Sequence, residues 1–155
     1  MERHMARVIV AGFIEREGKL LVIRERPAEL PPDHDPVLNQ PAGHVEKGEL
    51  LTDAVVREVL EETGYHVRPV ELVGVHQSTR PTREHMAIYF LFRCELEDQT
   101  QGPIEATEIV ETLWLTQEEI TARVSEHRSE TTTARFKNYF SGARYPLDVV
   151  TQITT

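Results

Sequence analysis

One segment, residues 43–65, constrains the fold of this chain most, because it combines an acidic helical pattern with glycines near both ends. Its second half places Glu58, Glu61 and Glu62 three and four residues apart, directly after Arg57. Residues with this spacing lie on one face of an α-helix, so the three carboxylates should form one acidic patch. Like charges at this spacing destabilise a helix unless a cation binds beside them. Because oxygen ligands favour hard divalent ions, the pattern predicts a Mg²⁺ or Mn²⁺ site.

The same helix carries an apolar stripe with the 3.6-residue period, formed by Val55, Val56, Val59, Leu60 and Thr63. We expect this stripe to lie well away from the carboxylates and to anchor the helix on a core. Gly64 predicts the end of the helix. Gly43 and Gly48 bracket a loop before it, where the backbone turns sharply or approaches a ligand closely. The alternative interpretation is a solvated, glutamate-rich helix face, which is typical of charge runs.

The composition indicates a single domain over residues 1–155, since a chain of this length buries a substantial core. No apolar run is long enough to span a bilayer, and the first residues lack the apolar stretch of a signal peptide. The only cysteine, Cys94, excludes an internal disulfide and favours the cytoplasm. The formal charge of −9 argues against binding to nucleic acid polymers or membranes, whereas a bound divalent ion would attract an anionic substrate locally.

The rest of the chain predicts strands on both sides of the acidic helix. Residues 6–14 and 19–24 have the pattern of a hairpin, and the proline-rich stretch 27–36 has that of a loop. Further strands are predicted at 67–78, 85–95 and 108–115, and further helices at 117–124 and 130–140. This order indicates an α/β or α+β fold with a mixed sheet covered on both faces.

The segment resembles the signature of the Nudix hydrolases. That signature runs Gly, five residues, Glu, seven residues, Arg-Glu, an aliphatic residue, any residue, Glu-Glu, any residue, Gly, then an aliphatic or aromatic residue. It is filled without a gap or substitution by Gly43, Glu49, Arg57, Glu58, Val59, Glu61, Glu62, Gly64 and Tyr65. Seven polar or glycine identities at fixed spacing make the motif strong. The resemblance implies an α/β fold of the Nudix type, an α/β/α sandwich around a mixed β-sheet, with residues 43–65 as the Nudix box.

The resemblance also implies roles for individual residues. Glu58, Glu61 and Glu62 would bind the metal, Mg²⁺ with Mn²⁺ as a substitute, and the backbone carbonyl of Ala42 would be a further ligand. Structural support of the site is implied for Gly43, Glu49, Arg57 and Gly64.

A closer similarity is to the NudJ-type phosphatases, carried by residues 39–44, the pair His76–Gln77 and residues 141–147. It implies hydrolysis of nucleoside tri- and diphosphates, thiamine pyrophosphate or its hydroxymethylpyrimidine pyrophosphate precursor, with release of orthophosphate. The subgroup tends to carry a tryptophan before Asn-Gln-Pro, where this chain has Val37 and Leu38. The alternatives are a pyrophosphohydrolase for a dinucleoside polyphosphate, a nucleotide sugar or capped RNA, and a non-catalytic diphosphate-binding module. The implied partner is a small-molecule pyrophosphate, bound by a monomer or homodimer.

Pyrophosphate hydrolysis requires neutralised phosphate oxygens, an activated water and a general base. The residue pattern leaves the base open between Glu61 or Glu62 in the helix and a later glutamate, Glu105, Glu108 or Glu111. The resemblance favours Glu108.

Candidates for substrate binding lie outside the Nudix box. Arg80 and Arg83 lie between two predicted strands, where a loop can lean over phosphates. Arg24 and Arg26 follow the second strand and carry the same interpretation. The NudJ-type resemblance adds His76–Gln77, for which the alternative is a structural hydrogen bond.

Overall fold

A computed structural model describes residues 1, 3–79 and 84–155 of the chain. These residues form a mixed β-sheet of eight strands with helices on both faces. The strands are β1 (Ala6–Arg16), β2 (Lys19–Glu25), β3 (Val37–Asn39), β4 (Ala42–His44), β5 (Val67–Ser78), β6 (Met86–Leu96), β7 (Ile109–Leu115) and β8 (Tyr145–Pro146). The helices are α1 (Leu51–Thr63), α2 (Gln117–Ala122) and α3 (Glu130–Phe140), with 3-10 turns at Val124–Glu126 and Leu147–Val149.

The sheet has two parts that meet at the β1–β2 hairpin. In one part, β1 lies between β4 and β6, and β5 lies between β6 and β8. In the other part, β2 lies between β3 and β7. β1 and β2 pair only next to the turn, at Glu15↔Leu20 and Arg16↔Lys19, and then separate. The connection between β3 and β4 therefore runs from one part of the sheet to the other. The parallel β1–β6 pair among antiparallel neighbours confirms the predicted mixed sheet.

Each face of the sheet is covered by one long helix. In the first apolar cluster, Val55 and Val59 of α1 pack against Val10 and Phe92 of the sheet. The second cluster packs α3 on the opposite face and consists of Ala11, Phe13, Leu20, Val22, Leu38, Val73, Leu91, Leu115, Ile120, Phe136 and Tyr139. The two layers of helix confirm the predicted α/β/α sandwich. None of the helices among the residues described is long and apolar enough to cross a membrane.

Most predicted elements agree with the structure to within two residues. β1 continues to Arg16, so the hairpin turns through Glu17 and Gly18, both with positive φ. The helix predicted over 117–124 ends at Ala122 and continues as a separate 3-10 turn. The sequence pattern did not predict β8, which has two residues and depends on its pairing with β5.

The buried face of α1 differs from the expectation. It consists of Ala54, Val55, Val59, Glu62 and Thr63, while Val56 and Leu60 are half-buried. Glu62 follows Val55 by seven residues, close to two turns, and therefore lies on the same side of the helix. The expectation that the apolar stripe lies well away from the carboxylates was wrong for Glu62, whose exposed fraction is 3%.

Candidate active site

Arg57 connects the loop before α1 with two carboxylates of the helix. Its Nε and Nη2 donate to the two oxygens of Glu49, at 2.7 and 2.9 Å. Its Nη1 donates to Glu58 Oε1 at 2.7 Å and to Glu61 Oε2 at 3.3 Å. Nη2 also donates to the carbonyl oxygen of His44 at 3.0 Å. The hydrogen bonds to Arg57 lower the pKa of Glu49, and those with Glu49 and Glu58 raise the pKa of Arg57.

Glu58 lies directly against the backbone of β4. Its side chain is 14% exposed, and burial raises its pKa in spite of the pairing with Arg57. A Cβ atom added to Gly43 would stand 2.1 Å from Glu58 Cδ and 2.3 Å from both carboxylate oxygens. Glycine at position 43 is therefore what allows this carboxylate to reach its place.

Glu62 is the most deeply buried of the three Nudix-box carboxylates. Its Oε1 accepts a hydrogen bond from the backbone amide of Ala42 at 2.8 Å. Its pKa is raised well above the usual value, first by burial and then by repulsion from Glu25, Glu58 and Glu108. Three carboxylates thus lie close enough to Glu62 to raise its pKa: Glu25 of β2, Glu58 of α1 and Glu108, just before β7.

The chemistry of this donor set fits a hard divalent cation. The side chains offer only oxygen atoms, and a cation beside them would offset the burial that raises the pKa of Glu58 and Glu62. Within the described ranges, no three His, Cys, Asp or Glu side chains converge in a metal-holding arrangement. The orientations explain this, because Glu58 and Glu61 turn towards Arg57, whereas Glu62 turns towards the Ala42 amide.

A loop from residue 101 to residue 108 packs across the C-terminal end of α1. Gly64 ends the helix in the left-handed conformation, with φ 76°, and a Cβ at this position would be 2.2 Å from the carbonyl oxygen of Gly102. The amides of Glu105 and Ala106 both donate to the carbonyl oxygen of Glu61 at 3.0 Å. The C-terminal end of α1 is therefore fixed by this loop.

The three later glutamates that were candidates for the general base occupy different surroundings. Glu108 is exposed and is the one close enough to Glu62 to raise its pKa. Glu111 forms an ion pair with Arg24 at 3.4 Å. Glu105 is exposed, and its backbone amide is held at the end of α1.

Arg24 lies within β2 rather than after it, Arg26 follows the strand directly, and the two arginines have different partners. Arg24 pairs with Glu126 at 3.3 Å as well as with Glu111, so its guanidinium connects β2 with β7 and the first 3-10 turn. Arg26 is exposed, borders a cavity of about 200 Å³ in the proline-rich loop and donates to the carbonyl oxygen of His34 at 3.2 Å. Its amide donates to the carbonyl oxygen of Glu108 at 2.8 Å, which holds this loop beside the candidate site.

Two of the predicted substrate-binding residues, Arg80 and Arg83, lie outside the described residues. His76 and Gln77 lie on β5, which β6 and β1 separate from β4. His76 Nε2 is hydrogen-bonded to Asn138 Oδ1 of α3 at 2.8 Å. The structure does not bring this pair into contact with the Nudix-box carboxylates, and its substrate-binding role stays a prediction.

A buried polar network that lies beside the carboxylates was not predicted from the sequence. Glu25 is 3% exposed and accepts hydrogen bonds from Asn39 Nδ2 at 3.1 Å and from Arg128 Nη1 at 2.8 Å. Arg135, also 3% exposed, donates from Nε to Gln40 Oε1 at 2.9 Å. The available signal was the pair Asn39–Gln40, because two amide side chains next to a buried apolar strand require polar partners.

Comparisons with known proteins agree with this geometry. A family model described as the NUDIX domain matches residues 3–136. The chain is 35% identical over 143 residues to Phosphatase NudJ of Escherichia coli strain K12 and to that of Shigella sonnei strain Ss046. Each match covers 92% of this chain and 89% of the relative.

Solved structures show the same fold. A NUDIX hydrolase from Nitrosomonas europaea superposes with a TM-score of 0.85 at 34% identity, covering 96% of this chain and 98% of that one. The MutT protein from Methanosarcina mazei Go1 superposes with a TM-score of 0.70 at 22% identity, covering 92% and 98%. The predicted resemblance, both to the Nudix hydrolases and to the NudJ-type phosphatases, is confirmed by these matches. The chain belongs to the Nudix hydrolase family.

Proposed function

We propose that the chain is a divalent-metal-dependent hydrolase of small organic pyrophosphates. The substrates proposed are nucleoside tri- and diphosphates, thiamine pyrophosphate and its hydroxymethylpyrimidine pyrophosphate precursor. The observation that carries the proposal is the burial of Glu62 beside Glu25, Glu58 and Glu108, an arrangement that a cation would stabilise. The similarity to a phosphatase supports the substrate class.

The proposed ligands of Mg²⁺, or of Mn²⁺ in its place, are Glu58, Glu61, Glu62 and the carbonyl oxygen of Ala42. When bound, a divalent ion neutralises phosphoryl oxygens and lowers the pKa of a water molecule. Arg57 holds Glu58 and Glu61 of this set. The Ala42 amide holds Glu62.

We propose Glu108 as the general base that accepts the proton of the attacking water. It is exposed and lies beside Glu62, whereas Glu111 is paired with Arg24. Arg80, Arg83 and the pair His76–Gln77 remain proposed substrate contacts. The cytoplasm remains the proposed location, supported by the single cysteine, which is buried and free.

The test is phosphate release from a panel of nucleotides and thiamine pyrophosphate with Mg²⁺, carried out in ¹⁸O-labelled water. We expect orthophosphate that carries the label, and no release above background from the Glu61→Gln, Glu62→Gln double variant. Equal release by the double variant would contradict the proposal.

The same assay separates the alternative substrates. When the alternative substrates are added to the panel, a nucleoside monophosphate plus a second phosphorylated product would identify a dinucleoside polyphosphate, a nucleotide sugar or capped RNA as the substrate class. Tight binding of a diphosphate without turnover under several metals would identify a non-catalytic binding module.

A further inference from the structure

Arg135 of α3 is a buried cation whose hydrogen-bond partners are neutral oxygens. Its Nε donates to Gln40 Oε1 at 2.9 Å, and its Nη2 donates to Asn39 Oδ1 at 3.2 Å and to Thr132 Oγ1 at 3.1 Å. Burial of a guanidinium without a directly bonded carboxylate is unfavourable, and the neutral oxygens that accept its hydrogen bonds offset part of that cost.

The guanidinium is enclosed on its remaining sides. Its Cζ lies 4.3 Å from the ring centroid of Tyr89, a cation–π contact with the β6 side of the sheet. Its Nη1 is buried and has no hydrogen-bond partner among the residues that the structure describes. With 3% of the residue exposed, Arg135 acts through the groups it holds.

Those groups lead directly to the candidate active site. Asn39 and Gln40 precede Pro41 and Ala42, whose amide holds the Glu62 carboxylate at 2.8 Å. Gln40 is fixed a second time, because its Nε2 donates to the carbonyl oxygen of Thr132 at 3.0 Å. Groups of α3 thus hold Gln40, which lies two residues before Ala42, the residue whose amide contacts the Glu62 carboxylate.

The same connection is held from the β2 side. Asn39 donates to Glu25, which is paired with Arg128 at 2.8 Å. The amide of Arg128 in turn donates to the carbonyl oxygen of Leu38 at 2.8 Å. Arg135 and Arg128 therefore fix neighbouring residues, Arg135 from within α3 and Arg128 from the segment just before α3.

We propose that Arg135 is a positioning residue, which orients residues 39–42 through Asn39 and Gln40 and so sets the place of the Glu62 carboxylate. This inference rests on the proposed function for its effects on Mn²⁺ affinity and on kinetics, whereas the orientation of the backbone is measurable without metal or substrate.

The experiment compares wild-type protein with Arg135→Met, Arg135→Lys and Thr132→Val. Thr132→Val removes the hydroxyl that contacts both Asn39 and Arg135 with little change of shape. Arg144→Met is the matched control, because Arg144 also lies over an aromatic ring, 4.2 Å from the Tyr139 centroid. Its hydrogen bonds go to the main-chain carbonyls of Tyr139 and Ala143, remote from the β3–β4 connection.

Four quantities are measured: amide hydrogen exchange of Ala42 in metal-free protein, Mn²⁺ affinity, and kcat and KM for orthophosphate release. For Arg135→Met we expect Ala42 exchange at least about tenfold faster, and Mn²⁺ affinity and kcat lower by about 10- to 100-fold. KM should change much less than kcat. Arg135→Lys should restore part of each quantity, Thr132→Val should give a smaller effect in the same direction, and Arg144→Met should match wild type.

Unchanged Ala42 exchange and Mn²⁺ affinity in Arg135→Met would overturn the inference, even if the variant unfolds at a lower temperature. A rise in KM alone would assign Arg135 to substrate contact and would overturn it as well. If Arg135→Met does not fold, Thr132→Val decides by the same criteria. If the wild-type protein shows no hydrolysis, the proposed function fails, and Ala42 exchange still decides the role of Arg135.

Discussion

Two guanidiniums support the candidate site, and they differ in their exposure, in their hydrogen-bond partners and in how directly they reach the carboxylates. Arg57 pairs with the carboxylates of Glu49, Glu58 and Glu61, and its side chain is 23% exposed. Arg135 is 3% exposed and binds neutral oxygens. Neither pairs with Glu62, whose one hydrogen bond found in the described part of the chain comes from the amide of Ala42.

The difference shows why one arginine was predicted and the other missed. The side-chain partners of Arg57 lie one, four and eight residues away, so a local motif contains all of them. The partners of Arg135 on the β3–β4 connection lie 95 and 96 residues away. Its helix was predicted from local spacing, but its contact with Gln40 depends on how the sheet folds.

The largest effect is expected for Arg57→Met, which removes the cation shared by Glu49 and Glu58. We expect kcat/KM for orthophosphate release to fall by about 10- to 100-fold, because the carboxylates lose their common orientation. Arg57→Lys should restore little, since an ammonium group does not replace the bidentate pair with Glu49.

The control for this variant is Arg68→Met. Arg68 pairs with Glu95 at 2.8 Å, but both side chains are largely exposed, and such pairs contribute little. Equal losses of kcat/KM in the two variants would remove the special role of Arg57 and with it the comparison with Arg135.

A smaller effect is expected for Gly43→Ala, which tests the place of Glu58 without touching either arginine. The new methyl group would overlap the Glu58 carboxyl group, whose carbon would lie 2.1 Å from the added Cβ. The flexible side chain can swing away, so we expect Mn²⁺ affinity to fall by about tenfold with little change in the free energy of unfolding.

Gly48→Ala should show the opposite behaviour. Gly48 has φ 79° and no neighbour within 4 Å of an added Cβ. The left-handed conformation should cost about 1 kcal/mol of stability and leave Mn²⁺ affinity unchanged. Calorimetry of Mn²⁺ binding and chemical denaturation of both variants check this contrast, which fails if Gly43→Ala loses stability and keeps affinity.

The smallest effect concerns Glu62, the carboxylate that neither arginine neutralises. Its folded-state pKa is raised above the unfolded value near 4.5, so the folded metal-free protein binds this proton more tightly than the unfolded chain does. The stability gained from that proton is fully present below the unfolded pKa and is lost as the pH rises through the folded pKa. Glu62→Gln keeps an acceptor oxygen for the Ala42 amide and does not ionise.

We therefore expect metal-free Glu62→Gln to unfold a few degrees above wild type at neutral pH, with the difference vanishing below the unfolded pKa. The unfolding temperatures of both proteins, measured from neutral pH to below the unfolded pKa, test the sign of this difference. A variant that is less stable than wild type at neutral pH would show that Glu62 is stabilised in its ionised form without a metal.

The sequence predictions were accurate where the interactions are local and failed where they join distant parts of the chain. α3 was predicted with its observed bounds, Glu130–Phe140, and α1 ends at Thr63 before the predicted stop at Gly64, because spacing and capping are local. The burial of Glu62 was not predicted, although its position seven residues after Val55 places both side chains on the same side of the helix. The burial of Glu25 was not predictable, because it requires Asn39 and Arg128 from distant parts of the chain.

The measurement that tests the account most directly is calorimetric titration of Mn²⁺ into metal-free wild-type protein and into the Glu62→Gln variant, at neutral pH. We predict saturable binding to the wild-type protein and affinity at least about tenfold lower in the variant. No binding to the wild-type protein, even with a diphosphate present, or equal affinities in the two proteins would contradict a metal site built on the buried carboxylate.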